Sequence, residues 1–356
     1  MKVELIPVMK EGAAMRTQVF NYQSLADAAE LLREGELVAF PTETVFGLGA
    51  IANNEQAVTS VFNAKGRPAD NPLIVHVARI EDVAQYVAEV SPLAQALMER
   101  FWPGPLTIIF PLKPGVFAES VTPGQQTVAI RMPRQLETLL LIEMVGFPLV
   151  GPSANLSGKP SPTLASHVLH DFGGEIAGVV ERRDETVAID IGVESTVVYP
   201  QDGQITILRP GAVTASMLAE LGVAVEELNT SQQLSQTDLH SPGVKYLHYS
   251  PNQPVYLIGA EHSLEDWTKH LSEFDQKIGL LADDQLIAHC QSVATIHSNF
   301  SLGLAGDIES ATRQLYAGLR FLEQSGCDII LAQGFYEKDL SHAYMNRLTK
   351  ASNYMI

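Results

Sequence analysis

The sequence predicts an α/β protein of two domains, an N-terminal open twisted α/β sheet domain followed by a smaller C-terminal Rossmann-like α/β domain. Short apolar runs typical of strands alternate along the chain with stretches that have the spacing of amphipathic helices. The 356 residues, of which 46% are hydrophobic, are enough to bury two cores. A polar, turn-rich stretch at residues 229–243 interrupts this alternation and is typical of a linker.

The first domain is predicted over residues 15–222. Ser24, with Asp27 three residues later, is a candidate N-cap for an amphipathic helix that Gly35 ends. A strand at residues 36–40 follows. Further strands are predicted where proline or glycine bounds an apolar run, at residues 73–77, 106–110, 127–131, 147–151, 195–199 and 205–208. A helix at residues 215–221 is expected to close the domain.

The second domain is predicted over residues 254–356, after a linker or lid at residues 223–253. Its predicted strands are the apolar runs at residues 255–259, 277–282 and 328–334. One helix is expected to begin near Ser263, and the clearest helical pattern covers residues 308–326. This alternation predicts a small parallel sheet. The second domain has no G-x-G-x-x-G motif, so a dinucleotide site is not expected there.

Composition and charge argue against several classes of protein. The net charge is −18, with 23 basic against 41 acidic residues, which disfavours a general nucleic-acid binder. An anionic ligand is therefore expected to meet a few cations gathered in a pocket. The two cysteines lack metal-ligand spacing, and no apolar run is long enough for a membrane span or a signal peptide. These features predict a cytoplasmic protein in which no metal is held by the protein itself.

Two short triplets predict an anion site. Lys65 and Arg67 are two residues apart, so an extended segment presents both cations on one side, and Ser153 and Asn155 are spaced in the same way. No Walker A, G-x-S-x-G, H-E-x-x-H or CxxC motif is present. The set therefore suits a nucleoside triphosphate bound without a covalent nucleophile. Taken alone, each triplet is more often a pair of surface charges or a polar turn, and neither cation is expected in the core.

Arginines at strand ends predict where the ligand lies. Arg131 and Arg209 each end an apolar run, and a buried arginine needs either a structural carboxylate or an anionic ligand. His76 ends another strand, where a core histidine is the commoner interpretation. Because ligands of open α/β sheets collect at the carboxyl ends of strands, we expect Arg131, Arg209 and the segments that begin at Pro41 and Pro152 to meet in one crevice.

The segment SPGVKYLHYSP at residues 241–251 follows a Pro-Gly turn with Lys245, Tyr246, His248 and Tyr249. One interpretation is a lid that closes over the first domain's pocket and excludes water. The other is an aromatic anchor that holds a linker to a domain surface. The sequence leaves both open.

Together these segments resemble the threonylcarbamoyl-AMP synthase family, the YrdC-like enzymes of tRNA threonylcarbamoyladenosine synthesis, in the long form with a C-terminal second domain. The resemblance is carried by PTETVFGLGA (41–50), KGRPADNPLIVHV (65–77), FWPGPLTIIF (101–110), VAIRMP (128–133), GPSANLSGKPSPT (151–163), GVESTVV (192–198), LRPGAV (208–213), SPGVKYLHYSP (241–251) and MNRLTKAS (345–352). It implies a YrdC-like fold for the first domain and L-threonylcarbamoyladenylate synthase activity. That reaction joins L-threonine, bicarbonate and ATP and releases pyrophosphate.

The resemblance also implies roles for individual residues. Lys65 and Arg67 would be catalytic, stabilising the charge on the departing pyrophosphate. ATP would be bound by Arg67, Asn71, Thr127, Ser153, Asn155, Ser161, Thr163, Arg209 and Tyr249. L-Threonine would be bound by Thr42, Thr44, His76, Arg131, Ser153 and Ser195. The division of Ser153 and Asn155 between the two ligands stays open.

The same resemblance implies cofactors and partners. Mg²⁺ is expected to arrive with ATP, and no organic cofactor is expected. The implied partners are downstream threonylcarbamoyl transferase proteins that act on tRNA, with little direct nucleic-acid binding and no membrane.

Two other functions are weighed against this one. A carbamoyltransferase of the hydrogenase-maturation type shares the YrdC-like module, but such chains carry CxxC zinc fingers and an acylphosphatase-like domain. This sequence has only two isolated cysteines and no room for extra domains. A non-catalytic RNA-binding module is the second alternative, and the charge of −18 counts against it.

Overall fold

The structure is a computed structural model that describes residues 16–183, 190–228 and 249–356, which form two β-sheets with helices packed on them. The strands of the first sheet are β1 (Gln18–Phe20), β2 (Val38–Phe40), β3 (Gly47–Ile51), β4 (Ile74–His76), β5 (Leu106–Pro111), β6 (Thr127–Arg131), β7 (Leu149–Val150), β8 (Gly178–Val180), β9 (Thr196–Gln201), β10 (Gln204–Arg209) and β11 (Ala224–Glu227). Those of the second sheet are β12 (Val255–Ile258), β13 (Ile278–Ala282), β14 (Ser298–Ser301), β15 (Ile329–Gln333) and β16 (Tyr354–Met355).

The helices alternate with these strands along the chain. Those of the first part are α1 (Leu25–Arg33), α2 (Glu55–Lys65), α3 (Val83–Tyr86), α4 (Pro92–Phe101), α5 (Leu136–Val145), α6 (Ala165–Phe172) and α7 (Ala215–Ala219). Those of the second part are α8 (Leu264–Ser272), α9 (Asp284–Val293), α10 (Ile308–Gln324) and α11 (Leu340–Ala351). Within the described ranges, no helix is both long and apolar enough to cross a membrane.

The first sheet is mixed, with the strand order β1-β8-β2-β3-β7-β4-β6-β5-β9-β10-β11. Successive residues of β2 enter different cores, because side chains alternate between the two faces of a strand. Val38 and Phe40 pack with α1 and α5, whereas Ala39 packs with α2, α4 and α6. Helices therefore cover both faces, and the α/β class predicted for this part is confirmed.

The second sheet has the order β14-β13-β15-β12-β16, and each of its neighbouring strand pairs is parallel. The helix α10 buries Leu315, Leu319 and Leu322 against it, at the spacing of one helical face. The parallel α/β sheet predicted from the strand–helix alternation is therefore confirmed.

Three local features differ from the sequence analysis. Ser24 occupies the N-cap position of α1 but makes no capping bond there, because its Oγ accepts a hydrogen bond from the Asn21 backbone N–H at 2.9 Å. The strand β11 lies inside the predicted linker and pairs in parallel with β10, so the first sheet continues to residue 227. The helix predicted at residues 215–221 ends at Ala219. Most of the predicted linker and lid, residues 229–248, lies outside the described residues.

Candidate active site

A cleft on the first sheet brings together eleven of the fifteen predicted site residues. These eleven are Thr42, Thr44, Lys65, Arg67, His76, Arg131, Ser153, Asn155, Ser195, Arg209 and Tyr249. Four others, Asn71, Thr127, Ser161 and Thr163, are not among the residues that line it. Residues separated by more than two hundred positions in the sequence, such as Thr42 and Tyr249, therefore share one cleft.

The direction of the strands differs from the expectation of a single carboxyl edge. The strands β2 and β7 both run opposite to β4, because β2 is antiparallel to β3, β3 to β7, and β7 to β4. The carboxyl ends of β2 and β7, where the segments at Pro41 and Pro152 begin, therefore do not share an edge with the end of β4 at His76. The residues converge because the cleft crosses a face of the sheet: Ile74 and His76, two residues apart on β4, both line it.

Lys65 is the last residue of α2, and Gly66 ends the helix in the left-handed conformation at φ 58°. The Lys65 ammonium donates hydrogen bonds to two backbone carbonyls, that of Ser153 and, at 2.5 Å, that of Asn155. Lys65 is only 2% exposed, so the expectation that it lies outside the core is wrong. Burial, followed by the nearby Arg67 charge, lowers the pKa of Lys65 well below its ordinary value. An arriving polyanion would favour the charged form.

Three buried polar atoms at or beside the cleft have no hydrogen-bond partner among the described residues. They are Asn155 Oδ1, Asn71 Nδ2 and His76 Nδ1. The amide of Asn155 is itself held in place, because its Nδ2 donates to the carbonyls of Leu156 at 2.7 Å and Lys159 at 2.9 Å. Since buried polar groups are nearly always paired, atoms left unpaired in a cleft indicate groups that a ligand can satisfy.

Arg131 is held by a buried carboxylate that the sequence analysis missed. Its Nη2 donates to Glu43 Oε1 at 2.6 Å, its Nη1 to Thr44 Oγ1 at 2.9 Å and its Nε to the Gly104 carbonyl at 3.2 Å. Glu43 is 1% exposed, so this is a buried ion pair. Of the two partners considered for Arg131, a structural carboxylate is therefore present. The signal in the sequence that could have identified this carboxylate is the acidic residue within the segment PTET, which is buried.

Ser195 and Arg209 form one wall of the cleft. The Arg209 guanidinium donates to the Ser195 carbonyl at 2.9 Å and to Ser195 Oγ at 3.2 Å, while Ser195 Oγ lies 2.7 Å from Thr107 Oγ1. Tyr249 lines the same side with a left-handed backbone at φ 74°, and its ring packs 5.3 Å from that of Tyr316 in the second domain. The second domain thus contributes to the surroundings of the cleft.

The predicted residues outside the cleft have other partners. Ser161 Oγ donates to Glu194 Oε1 at 2.6 Å, and Thr163 Oγ1 lies 3.4 Å from His167 Nδ1. Thr127 begins β6 and pairs with Pro111. Their roles with ATP stay predictions, to which these contacts add nothing. Glu194 itself lines the cleft and was not singled out from the sequence.

The cleft is cationic although the protein is acidic. Among the described residues, five cationic side chains and one carboxylate line it: Lys65, Arg67, Arg131, Lys159, Arg209 and Glu194. The protein as a whole carries a net charge of −18. No group of three metal-binding side chains occurs within the described ranges. Such a lining can bind a small polyanion and stabilise charge that develops on it.

His76 is expected to make stability depend on acid. Burial, followed by the Arg131 charge, lowers the pKa of His76 to about 3 from 6.5. Between these two pH values the unfolded chain binds the proton and the folded protein does not, so stability present above the unfolded pKa is lost as pH falls. The free energy of unfolding should fall by about 1.4 kcal/mol for each pH unit.

Urea titrations at several pH values in this range measure the effect. His76→Gln should reduce the dependence of the free energy of unfolding on pH, whereas His170→Gln, at an exposed position, should not. Equal slopes for wild type and His76→Gln would contradict this.

Known proteins are similar to this one along nearly the whole chain. A family model described as "Telomere recombination" matches residues 30–211, and one described as "Threonylcarbamoyl-AMP synthase, C-terminal domain" matches residues 213–353. A threonylcarbamoyl-AMP synthase of Bacillus subtilis is 41% identical over 334 residues, covering 93% of this chain and 94% of that protein. One of Pyrococcus abyssi is 41% identical over 337 residues, covering 92% and 94%. The crystal structure of P. abyssi Sua5 complexed with L-threonine matches with a TM-score of 0.83 and 37% identity, over 96% of this chain and 99% of that one.

Proposed function

The chain belongs to the threonylcarbamoyl-AMP synthase family, and from this premise we propose how its cleft makes L-threonylcarbamoyladenylate. The protein is a nucleotidyltransferase that transfers AMP from ATP to a threonylcarbamoyl group, a step towards the threonylcarbamoyladenosine of tRNA. One observation carries the assignment to the cleft. A buried lysine held by two carbonyls lies in it together with polar atoms that have no hydrogen-bond partner among the described residues.

The reaction needs positioning more than covalent help. The threonine amine and bicarbonate give a carbamate and water, and a carbamate oxygen then attacks the α-phosphorus of ATP. The bond between that phosphorus and the β-phosphate bridging oxygen breaks, and pyrophosphate leaves with the electron pair. The negative charge that grows on pyrophosphate is the charge to be stabilised. Cations and hydrogen-bond donors in a partly buried cleft can stabilise this charge, and no nucleophilic side chain is needed.

We assign the phosphates to the end of the cleft at Lys65 and Arg67. Two of the three Lys65 N–H groups donate to backbone carbonyls, which fixes the direction of the third. This third N–H group is left to donate to a phosphate oxygen. Asn155 Oδ1 and Asn71 Nδ2 gain partners from the nucleotide. Ser153, Arg209 and Tyr249 complete this side. Mg²⁺ enters bound to ATP and is part of that substrate.

We assign L-threonine to the end at His76 and Arg131. The unpartnered Nδ1 of a neutral His76 can bond the substrate hydroxyl or amine. Arg131, already held by Glu43 and Thr44, presents its remaining N–H groups to the carboxylate. Thr42 and Ser195 add hydroxyl groups. The mixed anhydride made here passes to threonylcarbamoyl transferases that modify tRNA, because it is too reactive to accumulate in water.

The function is tested by incubating the protein with ATP, Mg²⁺, bicarbonate and labelled L-threonine. Threonine-dependent pyrophosphate and a labelled threonylcarbamoyl adenylate are expected together, the adenylate in the smaller amount because part of it hydrolyses. ATP consumption without a threonine-dependent adenylate would overturn the proposal. Filter binding of bulk tRNA at physiological salt distinguishes this function from the RNA-binding alternative. A non-catalytic RNA-binding module would retain tRNA on the filter and make no adenylate.

Replacing Lys65 should impair catalysis strongly. Lys65→Met removes a charge from the phosphate end and should cost about 2–4 kcal/mol of transition-state stabilisation, measured as threonine-dependent pyrophosphate release. Lys113→Met, at an exposed position, is the matched control and should behave as wild type. Because Lys65 is buried, the variant's folding is checked by thermal melting. A folded Lys65→Met protein with wild-type turnover would remove Lys65 from the reaction.

A further inference from the structure

Arg347 connects the second domain to the wall of the cleft. It lies on α11 and is fully buried at 0% exposure. Besides one hydrogen bond to Asn346 of its own helix, it donates hydrogen bonds to the first domain. Its Nε donates to Glu194 Oε2 at 3.0 Å and its Nη2 to the Glu194 carbonyl at 3.1 Å. Its Nη1 donates to the Pro210 carbonyl at 2.6 Å. One guanidinium therefore holds two separate segments of the first domain.

These two segments carry residues that line the cleft. Glu194 precedes Ser195, and Pro210 follows Arg209, so Arg347 holds the neighbour of each. Ser195 and Arg209 are bonded to one another through the Ser195 carbonyl and hydroxyl. A shift of either backbone segment would therefore move both side chains that form this wall.

Glu194 is held on its other sides as well. Tyr316 of α10 donates to its Oε2 at 3.0 Å, and Ser161 donates to its Oε1 at 2.6 Å. Burial alone would raise the pKa of Glu194, but Arg347 and Arg209 outweigh it and lower the pKa to about 2. The carboxylate is therefore ionised at neutral pH, and Arg347 faces a full negative charge.

We propose that Arg347 is a positioning residue of the active site, through which the second domain sets the placement of Ser195 and Arg209 against the bound substrates. This inference rests on the proposed function and goes beyond it, because it gives the second domain a part in the reaction of the first. The planar fork of arginine is needed, since one ammonium cannot reach a carboxylate and two carbonyls in the same way. A misplacement of about 1 Å in such a wall can lower the rate on the order of a hundredfold.

The test compares full-length variants by steady-state kinetics and by binding. Arg347→Lys keeps the charge and loses the fork. We expect the KM for L-threonine to rise and kcat to fall, each on the order of tenfold. Glu194→Gln with Arg347→Met removes the two charges of this ion pair together, so that neither is left buried without the other, and a similar loss is expected. The matched control is His342→Gln, which removes another contact between the two parts of the chain, to Glu227 at 2.6 Å, away from the cleft. His342→Gln should leave the KM for L-threonine and the KM for ATP unchanged.

The outcomes separate positioning from stability. If Arg347 only stabilised the fold, its variants would contain fewer active molecules, and kcat would fall while both KM values stayed at wild type. That result, or wild-type kinetics in folded Arg347→Lys, overturns the inference. If wild type binds ATP and L-threonine but releases no pyrophosphate, the proposed function fails instead. The Kd values of both ligands, measured by calorimetry, then decide the inference: weakening in Arg347→Lys and not in His342→Gln supports it, and equal Kd values overturn it.

Discussion

Valine should be used on the order of 10⁴-fold less efficiently than L-threonine, because a site built to bond a substrate hydroxyl rejects an analogue that lacks it. Valine has a methyl group where threonine has the hydroxyl, and the two are nearly equal in size. Binding valine would leave His76 Nδ1, which has no partner among the described residues, buried without a hydrogen bond. The hydroxyl groups of Thr42 and Thr44, 2.7 Å apart, would likewise gain nothing. An unpaired buried polar group loses the free energy of a hydrogen bond that water would otherwise supply.

The measurement is kcat/KM for pyrophosphate release with each amino acid at saturating ATP and bicarbonate. Serine is the control for size, since it keeps the hydroxyl and lacks the methyl group, and its rejection should be on the order of 10–200-fold. His76→Phe should reduce the discrimination against valine more than that against serine. If valine were used nearly as well as threonine, no side chain of the cleft would contact the hydroxyl.

Removing the Arg131 charge should destabilise the protein by about 3–5 kcal/mol, because the Glu43 carboxylate is then left buried and unpaired. Both side chains are inaccessible, at 5% and 1% exposure, so water cannot replace the lost partner. Arg131→Gln is the change, and urea unfolding gives the free energy of unfolding. The matched control is Arg100→Gln, which breaks an ion pair whose partners are each 61% exposed. Such exposed pairs contribute about 0–1 kcal/mol.

The double variant Glu43→Gln with Arg131→Gln separates the two roles of Arg131. With no unpaired charge, most of the lost stability should return, while L-threonine should still bind weakly because its carboxylate has lost the guanidinium. Calorimetric titration with L-threonine decides the second point. Wild-type threonine affinity in the stable double variant would make Arg131 a structural residue alone. A single variant as stable as wild type would contradict the burial of the pair.

Much of the fold could be predicted from the sequence because strands and helices reflect local patterns. Apolar runs bounded by proline or glycine located β5 and β6 nearly to the residue, and the alternation of strand and helix predicted the parallel second sheet. Short edge strands were not predicted: β1 and β16 have three and two residues, and their pairing depends on distant partners. The cationic and polar triplets could be recognised as a candidate anion site because the chemistry of a side chain depends on its residue type and not on its position in the fold.

Residue types and local patterns were therefore enough to predict the fold class, the family resemblance and the chemical character of the site. Which groups meet could be seen only once the chain had folded. Glu43 pairs with Arg131 across 88 residues of sequence, and Glu194 with Arg347 across 153. A local pattern shows that a buried arginine needs an anion but not which one, because many distant carboxylates satisfy the same requirement. Strand direction, and with it the position of the cleft across a sheet face, likewise depends on long-range pairing that no short segment encodes.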